Sequence, residues 1–599
     1  MPARAYPVLA AGALAAIVAG LILQASDRPE AASIVWGATV LVLLVPLVGS
    51  VLVTLAHGRV GVDLIALIAM AGALALGEEL AGAVIALMLA GGNALETAAD
   101  RRARRELTAL LERMPTVAHV RRGDQLEEVS VDAVAPGEVI VVRAGEIVPV
   151  DGIVVSQEAV VDESTLTGES LPVTYGRGGS VRSGVANAAA PFDLRAVRPA
   201  AQSAYAALVS LVRAAEADRA PFTRLADRYA ALLLPVTLVI AAAAWAASGD
   251  AVRGLAVVVV ATPCPLILAA PIALVSGVSR AARAGIVVKG AGVIERLGRA
   301  RSVLLDKTGT LTLGTPRVAR IEPVAGTTRE DVLRFAASLD QLSAHVLAAA
   351  LVRGARDEGL ELAFPEDVRE EPGQGIEGTV DHRHVTIGAA ATPATDAREQ
   401  GLARIAVTVD GAPAGTIVMA DHIRDDAGQL VDELRAAGVR YIAMVTGDHA
   451  AVAEPVGSAL GLDRVYADCT PEGKLEVVAG VRDRPGLAPV LMVGDGVNDA
   501  PALARADVGI AMGETGATAS SEAADAIITI NSIAAVAEAV RIGRRSLKIA
   551  TQSVVVGMAL SFVAMGFAAV GLLPPVAGAL VQEGIDVAVI LNALRALRA

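Results

Sequence analysis

The chain has 599 residues, room for several domains at roughly 100–200 residues each. Hydrophobic residues make up 54% and charged residues 19%, with a mean hydropathy of +0.56: too oily for a wholly soluble protein, too charged for a wholly membrane-embedded one. A formal charge of -13, from 64 acids against 51 bases, argues against a general nucleic-acid binder. The two cysteines, Cys264 and Cys469, lie far apart, which excludes a disulfide framework and a CxxC metal module.

A bilayer-spanning helix needs about 20 mainly apolar residues. Segments of that kind fall at 6–24, 33–56, 60–77, 79–98, 229–247, 254–280, 550–571 and 575–596. They form two pairs, a hydrophilic insert, a third pair, a larger insert and a final pair. The first segment lacks a strongly basic start and runs straight into a second apolar stretch, so it reads as a retained membrane helix rather than a cleaved signal. An even number of spans puts both termini on one side, and the cluster Arg101-Arg102-Ala103-Arg104-Arg105 marks that side as cytoplasmic. In the fourth span, Gly91-Gly92 is either a kink or a place where helices pack closely at small residues.

The first insert, about 99–228, opens with a basic helix and turns β-like at Val117–Arg121, Glu138–Val142 and Val148–Val155. It carries Thr167-Gly168-Glu169, a tight turn that exposes a carboxylate suited to orienting water; such turns are more often plain surface loops. The sixth span holds Thr262-Pro263-Cys264-Pro265. Two prolines so close remove backbone donors and unwind the helix. Irregular backbone at membrane depth is tolerated only where protein buries it or a cavity receives it. Cys264 there is either a buried apolar side chain or a soft ligand that favours a transition metal over Na⁺, K⁺ or Ca²⁺.

The larger insert, about 290–545, reads as a doubly wound α/β domain interrupted by a second one. The apolar run Val303-Leu304-Leu305 delivers Asp306-Lys307-Thr308-Gly309-Thr310-Leu311-Thr312 at its carboxyl end, where open α/β sheets place their ligands. A carboxylate there can take a phosphoryl group as an aspartyl-phosphate. Thr308 stands two residues on, where a simple phosphatase would carry a second Asp as acid–base. A slow-hydrolysing phosphoenzyme that waits for another domain is therefore expected. The chain leaves this domain near Arg317 and returns near Asp421. Thr446-Gly447-Asp448 and Lys474 are suited to holding phosphoryl oxygens. A second apolar strand ends in Gly494-Asp495-Gly496-Val497-Asn498-Asp499, whose acids with Asp306 and Thr308 offer hard oxygens to Mg²⁺. The turn Gly373-Gln374-Gly375 does not follow a strand and open a helix, so it is no dinucleotide fingerprint. In the last span Glu583 and Asp586 lie three apart, on one helix face. Carboxylates at membrane depth normally face a partner or a path, unless the span is shifted and both sit at the interface.

Together these motifs resemble the P-type ATPases, and more narrowly their heavy-metal-translocating branch, over nearly the whole chain. The resemblance implies an α-helical bundle of about eight transmembrane helices. It adds a cytoplasmic β-rich actuator domain, a phosphorylation domain of the haloacid-dehalogenase type and an inserted nucleotide-binding domain. The expected boundaries are 1–98, 229–285 and 547–599 for the membrane helices, 99–228 for the actuator, 286–318 and 420–546 for phosphorylation, and 319–419 for nucleotide. It implies that Asp306 is phosphorylated from ATP, with Lys307, Thr308, Thr446, Gly447, Asp448, Lys474 and the Asp495/Asp499 loop around the phosphate and Mg²⁺. It makes Glu169, with Thr167 and Gly168, the dephosphorylation turn, and Gly91-Gly92 the cytoplasmic entry platform. Asp340, His345, Gly373 and Gly375 match the ATP site, although Ser343-Ala344-His345-Val346 departs from the usual Ser-Glu-His-Pro. The transported transition metal is expected at Cys264, Glu583 and Asp586, and plasma-membrane export is the implied activity. A soluble metal donor is a further expected partner. The second cysteine typical of copper pumps and the seventh-span Lys of zinc and cadmium pumps are both missing, while Gln582-Glu583-Gly584 is similar to the His-Glu-Gly-Gly of cobalt-type pumps. One thiol with carboxylates favours a divalent ion, with copper(I) next. A membrane-anchored phosphatase that transports nothing and a potassium-pump subunit are the competing readings.

Overall fold

The computed structural model describes residues 5–56, 63–112, 115–123, 125–162, 172–203, 221–261, 264–343, 346–371, 375–389, 403–494, 499–512 and 523–598. The chain divides into two compact units, residues 1–201, 208–299 and 539–599 forming one, and residues 202–207 and 300–538 the other.

The first unit holds the apolar helices and the small β-rich domain. Among the described residues five helices are long and apolar enough to cross a membrane, Tyr6–Ala25, Pro29–Val53, Glu79–Ala99, Ala535–Ala569 and Pro575–Leu597, with shorter apolar helices at Leu64–Ala75, Leu233–Ser248 and Ala251–Val260. The sixth expected span, 254–280, is not continuous. It is two helices, Ala251–Val260 and Cys264–Arg283, on either side of Thr262 and Pro263, which lie outside the described residues. The helix Glu79–Glu112 is 34 residues long, about 51 Å at a 1.5 Å rise per residue. That exceeds a hydrocarbon core of about 30 Å, so its arginine-bearing half reaches well beyond lipid. Small and β-branched side chains (Ala69, Ala73, Ala83, Ala86, Val257, Val259) are buried where these helices meet, whereas Val45, Val239 and Val563 face outward. Outward apolar side chains fit lipid, which leaves close packing of small residues to hold the helices together.

In the β-rich domain six strands run in the order Gln125–Ser130, Val117–Arg122, Val139–Val142, Phe192–Ala196, Gly152–Val154, Ser180–Val181. Alternate residues Val120, Ile140, Val142, Phe192 and Leu194 fill its core. Buried Asp151 accepts the backbone N–H and the hydroxyl of Ser183 at 2.9 and 2.8 Å.

The second unit contains two sheets. In the first, parallel strands run in the order Ala526–Ile528, Val508–Met512, Val490–Gly494, Ser302–Asp306, Tyr441–Val445, Arg464–Tyr466. The strands Ser302–Asp306, Val490–Gly494 and Val508–Met512 are buried throughout, as parallel strands covered on both faces must be. The second sheet is antiparallel, in the order Thr312–Pro323, Ala412–Ile423, Ala403–Val409, Arg383–Ala389, Gly375–Val380, Glu366–Glu371. The helices Arg329–Leu339 and Val346–Asp357 share its hydrophobic core. Its two long strands are the exit from and return to the parallel sheet. They pair Arg317 with Ala420 and Pro316 with Asp421.

Gly375 opens the fifth of these antiparallel strands at φ +141°, and a Cβ there would lie 2.1 Å from the carbonyl oxygen of Ile387. Gly428, in the helix Ala427–Ala436, meets nothing within 4 Å. Gly375→Ala should therefore destabilise the protein by about 1–3 kcal/mol or more. Gly428→Ala should be neutral or stabilising by up to about 1 kcal/mol, and thermal unfolding of the two variants distinguishes these outcomes.

Candidate functional site

Register builds the centre of the second unit. Asp306 ends its strand directly opposite Val445 of the neighbouring strand, so Asp306 and the following Thr446 emerge side by side at the carboxyl edge. Both are buried, at 4% and 2% exposure. Lys474 comes from the helix Pro471–Arg482, whose first turn is fixed by Pro471 and by Thr470, whose hydroxyl accepts the Gly473 N–H at 3.1 Å. Its Nζ donates to Asp306 Oδ1 at 2.5 Å and to Asp499 Oδ1 at 2.7 Å. Asp499 reaches that point because Gly494 has no side chain: a Cβ there would sit 2.5 Å from Asp499 Oδ2. Burial alone would discharge Lys474, but the two carboxylates outweigh it and hold the ammonium above its ordinary range. Beside this trio Lys307 pairs with Asp448, and the Asp448 N–H donates to Thr446 Oγ1 at 3.1 Å. Thr308 is exposed next to Asp306.

Of the residues expected here, Asp306, Lys307, Thr308, Thr446, Gly447, Asp448, Lys474 and Asp499 are gathered by one sheet edge. Asp495 lies outside the described residues, as do Thr167, Gly168, Glu169, His345 and Gly373. Asp340 and Gly375 both belong to the domain of the antiparallel sheet. Asp340 caps the helix Arg329–Leu339, buried at 6% exposure. Burial, with help from the Glu370 charge, pushes its carboxyl up to about 7. Two side chains escaped the sequence reading. Asp421 bonds Thr312 at the end of the stretch that starts with Asp306, and Arg424 bonds Asn531. Only the pairing of distant strands brings these partners together.

Among the described residues no group of three His, Cys, Asp or Glu side chains converges on one point. The two carboxylates on Lys474 suit a hard cation that completes its shell with water and substrate phosphate, which is how Mg²⁺ is held at phosphoryl-transfer sites.

In the membrane helices Gly91 and Gly92 lie within an unbroken helix. A Cβ on Gly91 would lie 3.9 Å from Glu583 Oε1, and on Gly92 it would meet nothing. Glu583 Oε2 is buried and takes part in no hydrogen bond among the described residues. Asp586, on the same helix, accepts from Gln582 Nε2 at 2.9 Å, and Gln582 Oε1 accepts from Ser561 at 3.2 Å. The two carboxylates expected to act together thus have different neighbours. Cys264 begins the helix Cys264–Arg283, and its side chain is outside the described set.

Two outcomes follow. Lys474→Met removes the ammonium that Asp306 and Asp499 share and should destabilise the protein by about 3–5 kcal/mol. Adding Asp499→Asn should recover part of that loss in a thermal melt. For Asp340 the folded carboxyl binds its proton more tightly than the unfolded one, so stability falls as pH rises from about 4 to about 7. Asp340→Asn should remove this slope, which thermal midpoints of both proteins across that range would reveal.

Known proteins supply the comparison. The haloacid dehalogenase-like hydrolases match residues 300–507, and the P-type ATPase actuator domain matches residues 112–213. Over 581 residues the chain is 34% identical to a zinc/cadmium/lead-transporting P-type ATPase of Shigella sonnei, covering 94% of this chain and 78% of that one. It is 34% identical over 550 residues to a copper-exporting P-type ATPase of Legionella pneumophila, with 86% and 74% covered. Against a manganese-exporting P-type ATPase of Mycobacterium bovis it is 32% identical over 582 residues, with 92% and 80% covered. The crystal structure of a zinc-transporting PIB-type ATPase in the E2·Pi state superposes with a TM-score of 0.68 at 31% identity, over 99% of this chain and 100% of that one. These relatives favour a transport ATPase over a membrane-anchored phosphatase, and with the sheet edge at Asp306 they decide the question. The chain belongs to the heavy-metal-transporting P-type ATPases, multi-pass plasma-membrane enzymes with cytoplasmic catalytic domains that use Mg²⁺ and ATP to drive metal cations across a membrane through an aspartyl-phosphate.

Proposed function

We propose that Asp306 is the phosphorylated residue and that the cargo is a borderline divalent cation, exported past Glu583 and Cys264. The observation that supports the cargo site is Glu583 Oε2, a carboxylate oxygen buried among membrane helices without a hydrogen-bond partner among the described residues, on a side chain that faces Gly91. A charge so placed is costly unless a cation arrives to meet it. Asp586 is already engaged by Gln582, so in this reading it shapes the site while Glu583 binds. One thiolate with carboxylate oxygen is a donor set for zinc, cadmium, cobalt, iron or manganese, and a poorer one for copper(I), which prefers sulfur throughout. The relatives named for zinc, copper and manganese are about equally similar to the chain, so the argument for the ion rests on the donors. A soluble donor that releases the ion near Gly91 completes this reading.

In the cytoplasm, the Asp306 carboxylate attacks the terminal phosphoryl group of ATP, forming the acyl-phosphate as the bond to departing ADP breaks, and Lys474 aims it. Lys474 and Thr446 then hold the transferred oxygens, with Lys307 and Asp448 fixing the loop from below. Asp306, Asp499, Asp495 and Thr308 would hold Mg²⁺, which neutralises phosphate charge when bound. Thr308 offers no carboxylate to activate water, so the phosphoenzyme persists until the Glu169 turn, with Thr167 and Gly168, supplies that activation. His345, Asp340, Gly373 and Gly375 are assigned to ATP.

The test is ATPase activity in lipid against zinc, cadmium, cobalt, manganese and copper(I). Stimulation should be strongest with a divalent ion, and Asp306→Asn should trap no label from the terminal phosphate of ATP after acid quench. Glu583→Ala should raise the half-stimulating metal concentration by about tenfold or more, the cost of one lost charged ligand of about 1.4 kcal/mol or above. Asp586→Asn should change it less. An unchanged metal response in Glu583→Ala, or in Cys264→Ala, removes the proposed cargo site.

A further inference from the structure

The loop between the strand Arg464–Tyr466 and the helix Pro471–Arg482 has no part in the chemistry above, yet it touches both halves of the phosphate cluster. Asp468 stands there in the left-handed region at φ 55°. Asp and Asn visit that region more readily than other side chains because their short polar groups bond locally. The turn points the Asp468 N–H at the carbonyl of Asp448, 2.9 Å away, and the Cys469 N–H at the carbonyl of Thr446, 3.0 Å away. The Thr446 N–H donates in turn to the carbonyl of Tyr466 at 2.9 Å. The Asp468 carboxylate lies 2.6 Å from His449 Nδ1, the first residue past the Thr446-Gly447-Asp448 loop. Two residues after Asp468, Thr470 caps the helix of Lys474, and the Lys474 N–H donates to the Thr470 carbonyl at 2.9 Å. Gly447 packs on the same segment: a Cβ there would meet the Cys469 carbonyl at 3.4 Å. Thr446 and Lys474 come from different elements, and this one turn ties them together.

We propose that Asp468 is a positioning residue for phosphoryl transfer. Its left-handed turn and its grip on His449 fix the Thr446–Asp448 loop against the start of the Lys474 helix, so the groups that meet the phosphoryl oxygens move as one piece. The inference rests on the assignment of Asp306, Thr446 and Lys474 to the phosphate. His449 and Asp468 are well exposed, at 77% and 52%, and a polar contact so exposed contributes little to stability. What the link supplies is geometry. Displacement of a phosphate-holding group by even 1 Å is felt in the rate far more than in folding.

The test uses the full chain in lipid and the variant Asp468→Gly, which keeps the left-handed backbone at ease and deletes only the carboxylate. Single-turnover phosphorylation of Asp306 from labelled ATP should slow by about tenfold. The orthovanadate concentration for half-inhibition should rise by a comparable factor, because vanadate fills the same phosphate position. The KM for ATP and the thermal midpoint should stay at their starting values. Asp468→Asn, which tolerates the same backbone and keeps an oxygen toward His449, should restore most of the rate. His449→Ala should reproduce part of the loss and add nothing when combined with Asp468→Gly, since neighbours that act through one contact are non-additive. A normal phosphorylation rate and vanadate response in Asp468→Gly overturns the proposal, as does a loss that tracks a lowered thermal midpoint and is not rescued by Asn. Were Asp306→Asn still to trap label, the underlying assignment would fail instead, so the two failures are told apart.

Discussion

The structure turns on one ammonium held between two buried carboxylates. Lys474 lies within hydrogen-bond reach of Asp306 and Asp499, and all three are nearly closed to solvent. Carboxylates in that position would otherwise protonate or open the fold, because an ionised group loses most of its hydration when buried. Lys474 between them gives both carboxylates one shared ammonium to bond. Two carboxylates on one ammonium also leave oxygens that suit the Mg²⁺ the family uses. Much of the local architecture serves this contact. Three buried parallel strands fix the heights of Asp306, Thr446 and Gly494. Gly494 gives Asp499 its room, and Thr470 fixes the start of the helix that projects Lys474.

The apolar unit solves a related problem in a poorer solvent. Its charges cannot be hydrated, so each carboxylate there must be tied or be used. Asp586 is tied, through Gln582, to Ser561 on the preceding membrane helix. Glu583, one turn away, has a buried oxygen with no such partner among the described residues. A Cβ on Gly91 would lie 3.9 Å from its other oxygen. The two carboxylates of one helix thus differ in what surrounds them.

The turn at Asp468 joins the Thr446–Asp448 loop to the start of the Lys474 helix through backbone as well as side chain. Backbone hydrogen bonds between loops are well suited to this, because each fixes a position without a flexible stem.

Much of this was written in the order of residues. Apolar runs of bilayer length, a Pro-Cys-Pro interruption and an apolar strand ending at Asp306 are local patterns, and local patterns survive in one dimension because period and length are set by backbone geometry. Arg317 and Asp421 lie in two stretches that pair as neighbouring strands, a pairing set by register rather than by either stretch alone. Sequence spacing put Glu583 and Asp586 on one helix face, but it could not say that Gln582 occupies one and Gly91 faces the other. Nor could it bring Thr312 to Asp421, Arg424 to Asn531, or Asp468 to His449 and Asp448. Those pairs are separated by tens of residues or lie across a turn whose φ no propensity specifies. Hydrophobic periodicity determined the elements; the strand register and the packing of helices, which depend on contacts distant along the chain, decided which charged groups share a proton, a cation or nothing.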